Sequence, residues 1–243
     1  MDAGQHQWPP PATINGRPWG ILVTVPGDFY RPPTGTISWP PSTERVVSSA
    51  FEAPVTAGRW CTIRPPRPED YPTLAKWFND PTMSARWRTS GTAVAVENVS
   101  QLVWSGSLAV FLIWSNEMDG QPPIGLVQVF DADHRNRTAF MAVLVDPARQ
   151  RLGWPIEGIG LAIDYVFRHW DLRILLVEAT EFNVPQYGSA FESLFETQGR
   201  LRSMHFYDGR YWDVLIAALS RERWTEWKQQ RVPWLGRPGA TPE

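Results

Sequence analysis

The stretch TAFMAVLVDPARQRLGWPIEGIGLAIDYVFRHW, residues 138–170, decides the fold. Its first part, Thr138–Val145, is apolar throughout, as expected of a strand at the centre of a covered sheet. Apolar side chains then recur at helical spacing over 155–170, and Pro155 suits the first helical turn because its missing N–H costs nothing there. The stretch therefore predicts a buried strand, a connecting loop and an amphipathic helix.

The residues before this stretch predict the start of the same sheet. Two apolar runs, Leu108–Trp114 and Ile124–Phe130, are joined by the turn residues Asp119 and Gly120, so they predict two antiparallel strands. Earlier elements are predicted as a strand over 62–64, a helix over 68–78 that ends before Pro81, and a helical stretch over 96–104.

After residue 170 the predicted order is strand, helix and hairpin. Ile174–Ala179 is predicted as a buried strand, Val184–Gln198 as a helix, and Arg202–Tyr207 with Tyr211–Leu219 as a closing hairpin. The sum is an α/β fold with a mixed, mostly antiparallel central sheet flanked by helices.

The N-terminal region differs in composition from the rest. Residues 1–59 are rich in Pro, which forbids long helices and central strands, but they also carry several aromatic residues. We expect a partly ordered extension with a hairpin of Trp19–Val25 and Thr36–Trp39, covering part of the substrate cleft. The predicted domains are this extension, a main domain over 60–222 and a C-terminal tail over 223–243.

Composition limits the classes of partner. The net charge of −2 offers no basic field for nucleic acid, and no run approaches the ~20 apolar residues that span a bilayer. The single cysteine, Cys61, excludes an intramolecular disulfide and fits a cytoplasmic location. The four histidines are too scattered for a zinc site. We therefore expect no membrane, nucleic-acid or metal partner, and a homodimer is among the expected assemblies.

The loop over 146–154 is the first candidate binding element. A helix N-terminus presents unpaired N–H groups and a positive dipole end, so a loop leading into one can hold a pyrophosphate, and Arg149 and Arg151 would add charge. The alternative is an ordinary connection between a strand and a helix that carries exposed arginines.

Four ordered segments of the chain resemble the GNAT superfamily of acetyl-CoA-dependent N-acetyltransferases, closest to its ribosomal-protein N-terminal acetyltransferase branch. The opening segment is Thr62-Ile63-Arg64-Pro65 with Trp77-Phe78-Asn79-Asp80-Pro81, and the second runs from Val145-Asp146-Pro147 through Gly153. The third is Asn183 after its strand, and the fourth is Tyr207-Asp208-Gly209-Arg210-Tyr211-Trp212-Asp213. The resemblance implies a GNAT-like fold behind the Pro-rich N-terminal extension.

The resemblance also implies where acetyl-CoA or another acyl-CoA would bind. Backbone groups of Val143, Leu144 and Val145 would hold the pantetheine arm and thioester, with Asn183 near the pantetheine. The pyrophosphate would lie on a loop made of Gln150, Arg151, Leu152, Gly153 and Trp154. The chain departs from the family pattern at Pro155, where the loop usually has Gly or Ala. It also departs at Ala190, where many members have a Tyr that protonates the leaving thiolate; Tyr187, about one helical turn earlier, is the candidate to take that role.

A general base is harder to assign, because Thr138–Val145 contains no carboxylate. His205 and Glu178 are the first candidates, since imidazole and carboxylate groups both accept protons near neutral pH. The alternative for each of them is a simple exposed position on the surface.

These observations lead to one main hypothesis and two alternatives. The main one is an N-acyltransferase that moves an acetyl or other acyl group from acyl-CoA to a primary amine of a small molecule or peptide by direct attack. The alternatives are a GNAT-fold acyltransferase that uses a carrier-protein or aminoacyl-tRNA donor, and a non-catalytic acyl-CoA-binding module.

Overall fold

The computed structural model describes residues 13–14, 17–18, 56–117, 120–152 and 154–231. The chain divides into two compact units, Met1–Ser48 and Ser49–Glu243. In the first unit, the described residues form a short antiparallel pair of β1 (Thr13–Ile14) and β2 (Arg17–Pro18). The hairpin predicted over Trp19–Val25 and Thr36–Trp39 lies outside the described residues.

The second unit is built on one eight-stranded sheet. Its spatial order is β3-β4-β5-β6-β7-β8-β10-β9, and every neighbouring pair is antiparallel except β7 and β8. The strands are β3 (Thr56–Ala57), β4 (Cys61–Arg64), β5 (Ser107–Ser115), β6 (Gly125–Asp133), β7 (Thr138–Val145), β8 (Ile174–Thr180), β9 (Glu196–Tyr207) and β10 (Arg210–Ser220). The predicted mixed, mostly antiparallel sheet is therefore confirmed.

Helices cover both faces of this sheet. They are α1 (Tyr71–Asn79), α2 (Pro81–Ser84), α3 (Val99–Trp104), α4 (Trp154–His169), α5 (Gly188–Leu194) and α6 (Arg221–Arg231). Short 3-10 helices lie at Pro68–Asp70, Val96–Asn98, Pro147–Leu152 and Val184–Tyr187. None of the described helices is both long and apolar enough to cross a bilayer.

Each face of the sheet carries its own hydrophobic core. On what we call the α4 face, Leu161, Val166 and Trp224 from α4 and α6 pack with inward residues of the sheet such as Ile63 and Val127. On the opposite face, which we call the α1 face, the core contains Leu74, Trp77, Phe78, Val99, Val103, Leu112, Leu126 and Leu144. Alternate residues of each strand therefore face different helical layers, as the period of two requires.

Close contact between α4 and the sheet depends on Gly158. A Cβ atom added at Gly158 would lie 2.3 Å from Cγ2 of Ile113, well inside van der Waals distance. Gly158 therefore permits the close approach of α4 to β5.

The predicted helix Val184–Gln198 is too long. The helical part ends at Leu194, and Glu196 already begins β9, which pairs with β10 at the edge of the sheet. Residues 196–201 are polar and mostly exposed. They carry no strand periodicity, so it is their pairing with β10 that makes them a strand.

The predicted C-terminal tail also begins too early. Helix α6 crosses residue 223, and its Trp224 is only 2% exposed and stacks on Trp227. Lys228 forms an ion pair with Asp164 of α4, which fixes the helix to the α4 face. Apolar burial and this ion pair make residues 221–231 part of the main unit.

Candidate active site

The parallel neighbours β7 and β8 pair only at their beginnings. The register holds for Thr138 with Ile174, Ala139 with Leu175 and Phe140 with Leu176, whereas β7 continues to Val145 and β8 to Thr180. On its other side β7 stays paired with β6 through Val145. Residues 141–144 therefore have a backbone edge toward β8 that pairs with no described strand, and such an edge can bind an extended ligand as an added strand would.

The loop after β7 leads directly into α4. The N–H of Ala148 donates to Asp146 Oδ1 at 2.9 Å and the N–H of Arg149 donates to the Asp146 carbonyl at 2.8 Å, which starts the 3-10 helix. Helix α4 begins at Trp154, and its N-terminus is thus at the same end of the sheet as the open edge of β7. This arrangement suits an elongated ligand that ends in phosphate groups.

A buried carboxylate fixes the beginning of α4. Glu157 is 5% exposed, and its carboxylate accepts hydrogen bonds from the backbone N–H groups of Arg59, Trp60 and Cys61 at 2.7, 2.7 and 2.8 Å. Its negative charge also lies in the first turn of α4, where the helix dipole favours it. Glu157 therefore holds the phosphate end of the candidate site against the β3–β4 turn.

The carboxylate of Glu157 also influences the pKa of Cys61, the single cysteine of the chain. Burial and, to a smaller extent, the charge of Glu157 raise the pKa of Cys61 to about 12. Cys61 is completely buried on the α4 face, so it is a packing residue and not a nucleophile.

The end of β8 is tied to the helical layer by Asn183. This side chain is 5% exposed, and its Oδ1 accepts a hydrogen bond from Arg86 Nη1 at 2.8 Å. Arg86 lies between α2 and α3, and its guanidinium is 5.8 Å from the ring centre of Phe182. The residues after β8 are thereby joined to the segment that leads into α3.

Glu178 lies on the α1 face beside the point where β7 and β8 diverge. Its neighbours Val177 and Ala179 are in the core of the α4 face, so Glu178 points to the other side, where its side chain is exposed. Ala142 and Glu178 each lie two residues beyond the last pair, Phe140 with Leu176, so they face each other across the gap between the two strands. Gln128 pairs with Ala142 on β6. Gln128, Ala142 and Glu178 thus form a row across one face of the sheet, which we call the central row.

His205 lies farther along the same face. It pairs with Trp212, four positions before the partner of Glu178 on β10, which is Ile216. Four residues of strand span about 13 Å, so His205 and Glu178 do not form one acid–base pair. The ring of His205 is 6.2 Å from that of Phe182, and its Nε2 is buried without a hydrogen-bond partner among the described residues.

A comparison of the sequence with models of protein families identifies the family of the chain. A model of the acetyltransferase (GNAT) domain matches residues 61–187, which is more than half of the chain. The chain belongs to the GNAT acetyltransferase family. No curated protein matches it by sequence.

Solved structures share this GNAT fold. The spermidine N-acetyltransferase of Vibrio cholerae, in complex with CoA and spermine, has a TM-score of 0.60 at 19% identity, over 68% of this chain and 98% of that chain. The spermidine/spermine N-acetyltransferase of the same organism, in complex with manganese ions, has a TM-score of 0.57 at 19% identity, over 69% and 96%. The predicted GNAT-like fold is confirmed, whereas the ribosomal-protein branch receives no support from these matches.

As a GNAT acetyltransferase, the chain uses acetyl-CoA as its cosubstrate, and the described residues fit that molecule. The open edge over 141–144 offers backbone groups to an extended arm, and the 3-10 helix with the start of α4 offers N–H groups to phosphates. Among the residues that the structure describes, no three His, Cys, Asp or Glu side chains gather as a metal site requires.

The structure locates the residues that the sequence analysis selected. Val143 and Leu144 lie on the open edge of β7, which ends at Val145, Asn183 lies just after β8, and Glu178 and His205 share the α1 face. Tyr187 ends a 3-10 helix, and Gln150, Arg151, Leu152 and Trp154 lie at the α4 junction; their side chains, and Gly153 as a whole, lie outside the described part. Sequence reasoning missed Arg86 and Glu157, whose partners are 97 and 96–98 residues away along the chain.

Proposed function

We propose that this GNAT enzyme transfers an acetyl group from acetyl-CoA to a primary amine of a small molecule or peptide. The amine nitrogen attacks the thioester carbonyl, a C–N bond forms, the C–S bond breaks, and CoA leaves as the thiol while the amine loses a proton. The observation that carries this proposal is the open edge of β7 with the exposed Glu178 beside it. The small-molecule class agrees with solved relatives that are named for spermidine and spermine.

The donor side of the proposed site consists mainly of backbone groups. Val143, Leu144 and Val145 would hold the pantetheine arm and the thioester, since their edge is the one that faces the gap between β7 and β8. Gln150, Arg151, Leu152, Gly153 and Trp154 would hold the pyrophosphate, because α4 begins among them. Asn183, fixed by Arg86, would lie beside the pantetheine.

Glu178 is the proposed proton acceptor. It is the carboxylate of the central row, and the small side chain of Ala142 leaves the space beside it free for an amine and a thioester. His205 is the second candidate, because its buried Nε2 has no hydrogen-bond partner among the described residues. Tyr187 remains the proposed donor of a proton to the leaving thiolate.

The test is the release of free CoA from acetyl-CoA with a panel of primary amines, measured for the wild type and three variants. We expect Glu178→Gln to lower kcat by about 10²–10⁴-fold. His205→Gln should lower kcat less, and Glu226→Gln on the exposed side of α6 should leave it unchanged.

Each other outcome points to a different conclusion. A loss confined to His205→Gln would assign the base to His205. Activity only with a carrier-bound donor would replace acetyl-CoA as the donor, and CoA binding without turnover by any amine would refute the enzymatic proposal. The use of a single, buried cysteine, Cys61, supports a cytoplasmic setting. The exposed Met204 and Phe206 of the edge strand β9, with Tyr211 of β10, support a homodimer, which light scattering tests.

A further inference from the structure

The guanidinium of Arg88 contacts two neutral groups among the described residues. Its Nε donates to Gln128 Oε1 at 3.0 Å, and its guanidinium is 4.2 Å from the ring centre of Phe130. Four other arginines of the described chain each contact a carboxylate: Arg64 with Asp70, Arg137 with Asp171, Arg168 with Asp164 and Arg200 with Asp213. Arg88 forms no such ion pair with any described residue.

The environment of Arg88 does not compensate its charge fully. Burial lowers the pKa of Arg88, and the more distant charge of Asp131 acts in the opposite direction. The two Nη atoms of Arg88 form no hydrogen bond with a described residue, and the side chain remains accessible to solvent. A partly desolvated guanidinium with two free donors in its planar fork is suited to bind a carboxylate or a phosphate group.

The position of this guanidinium is fixed by a buried amide. Gln128 is 1% exposed, and its Nε2 donates to the Val103 carbonyl at 2.9 Å and to Ser107 Oγ at 2.8 Å. Because both of these partners accept, the Oε1 of Gln128 must point toward Arg88. Arg88 Nε is therefore held by a buried amide whose own oxygen and nitrogen both have hydrogen-bond partners.

This network lies across the sheet from the proposed base. Gln128 and Glu178 are the two ends of the central row, separated by one paired strand spacing of about 5 Å and by the wider gap between β7 and β8. Ala142 lies between them, and the neighbouring floor is formed by Phe130 and Phe140, whose rings stack at 5.9 Å. The α1 face thus offers a carboxylate at one end, an apolar middle and a guanidinium at the other end.

We infer that the acceptor is an amine that also carries an anionic group, a carboxylate or a phosphate, bound by Arg88. This inference rests on the proposed function and narrows its acceptor. The amine would lie over Glu178, the apolar part over Phe130 and Phe140, and the anion at Arg88. A polycation such as spermidine places a positive charge at Arg88 instead, so this chain differs in acceptor from the relatives that are named for spermidine.

The test compares matched acceptors that differ only in the anion. The pairs are phenylalanine with phenethylamine, glycylphenylalanine with its C-terminal amide, and phosphoethanolamine with ethanolamine; spermidine is included. We expect the wild type to show a kcat/KM about tenfold or more higher for the anionic member of at least one pair. In Arg88→Gln this ratio should fall to about one, in Arg88→Lys it should be intermediate, and in the control Arg137→Gln it should be unchanged.

The ratio within one preparation does not depend on how much of a variant is folded, so a destabilised Arg88→Gln still gives a result. The first two pairs identify a carboxylate and the third a phosphate. Equal kcat/KM for both members of all three pairs, or a preference that survives in Arg88→Gln, overturns the inference while leaving the acetyltransferase intact.

If the protein releases no CoA with any amine, the proposed acetyltransferase activity is refuted. Binding of the acetylated products then tests whether Arg88 binds an anion. N-acetylphenylalanine, N-acetylglycylphenylalanine and N-acetylphosphoethanolamine are each titrated calorimetrically against the product without the anion. Tighter binding of an anionic product by the wild type but not by Arg88→Gln supports the inference, and equal or absent binding overturns it.

Discussion

Replacing Glu157 by Gln changes one oxygen of a buried carboxylate into an NH₂ group with almost no change in shape. In the wild type the carboxylate accepts three backbone N–H groups, two at Oε2 and one at Oε1. The amide of Glu157→Gln keeps its oxygen on Trp60 and Cys61 and turns its NH₂ toward the N–H of Arg59. Two donors then face each other, and a part-buried N–H loses its acceptor.

The size of the effect follows from these contacts. A hydrogen bond to a charged group contributes ~1.5–3 kcal/mol and a neutral one ~0.5–1.5 kcal/mol, so the two retained bonds lose about 1 kcal/mol each. The unpaired donor at Arg59 adds about 1 kcal/mol, since it lies where water has partial access. We therefore expect Glu157→Gln to lower the free energy of unfolding by about 3 kcal/mol, against ~0.5 kcal/mol or less for Glu226→Gln.

Equilibrium unfolding in urea, followed by tryptophan fluorescence, measures this difference as a shift of the midpoint at unchanged slope. A value within ~0.5 kcal/mol of the wild type would refute the claim that Glu157 anchors the beginning of α4. Gly58 provides an independent check, because a Cβ atom there would lie 2.6 Å from Glu157 Oε1. Gly58→Ala should cost less stability in a Glu157→Ala background than in the wild type, a non-additivity expected only of groups in contact.

Three other substitutions or conditions test the packing of the main unit. Gly158→Ala should lower the free energy of unfolding by ~1–3 kcal/mol because its methyl group overlaps Ile113, and a double-mutant cycle with Ile113→Ala should show favourable coupling; additive losses would contradict the contact. The pKa of Cys61 is raised from 9.0 to about 12, so the stability that this thiol contributes is fully present below pH 9 and is lost as the pH rises toward 12. In urea titrations the Cys61→Ala variant should therefore lose less stability than the wild type between pH 9 and about 12. Arg221 donates to the carbonyls of Phe167, Trp170 and Leu172 at the end of α4, so Arg221→Gln should cost about 2 kcal/mol and lower the Tm, unlike Arg137→Gln.

The sequence predicted those elements whose apolar periodicity reflects their final environment. Thr138–Val145 and the helix that follows it are buried against two layers, so their patterns reveal both type and extent. Residues 196–201 are an exposed edge strand rich in polar side chains, and nothing local distinguishes them from the end of a helix. Their structure is set by pairing with β10, a long-range contact that a local pattern does not contain.

The candidate site shows the same division between local and long-range information. Asn183 and the residues of the donor loop could be selected because each follows a recognisable strand or precedes a helix. Glu157 could not, since its partners are backbone N–H groups in a turn that almost any sequence could provide. Arg88 was also missed, because its partner Gln128 lies 40 residues away along the chain, and no spacing in the sequence expresses that contact.

Strand β7 has no carboxylate, but its parallel neighbour β8 can supply one to the same face of the sheet. Adjacent parallel strands place residues of equal register side by side on one face, so a group required beside Ala142 can come from β8 as well as from β7. Glu178 lies across the gap from Ala142, two residues beyond the last paired residue Leu176, and the alternation of Val177 and Ala179 into the core turns it to the α1 face. A larger residue at 142 would fill the space between Glu178 and Gln128. The small side chain on the central strand and the carboxylate on its neighbour are therefore complementary parts of one arrangement, which leaves room for an acceptor that extends from Glu178 to Arg88.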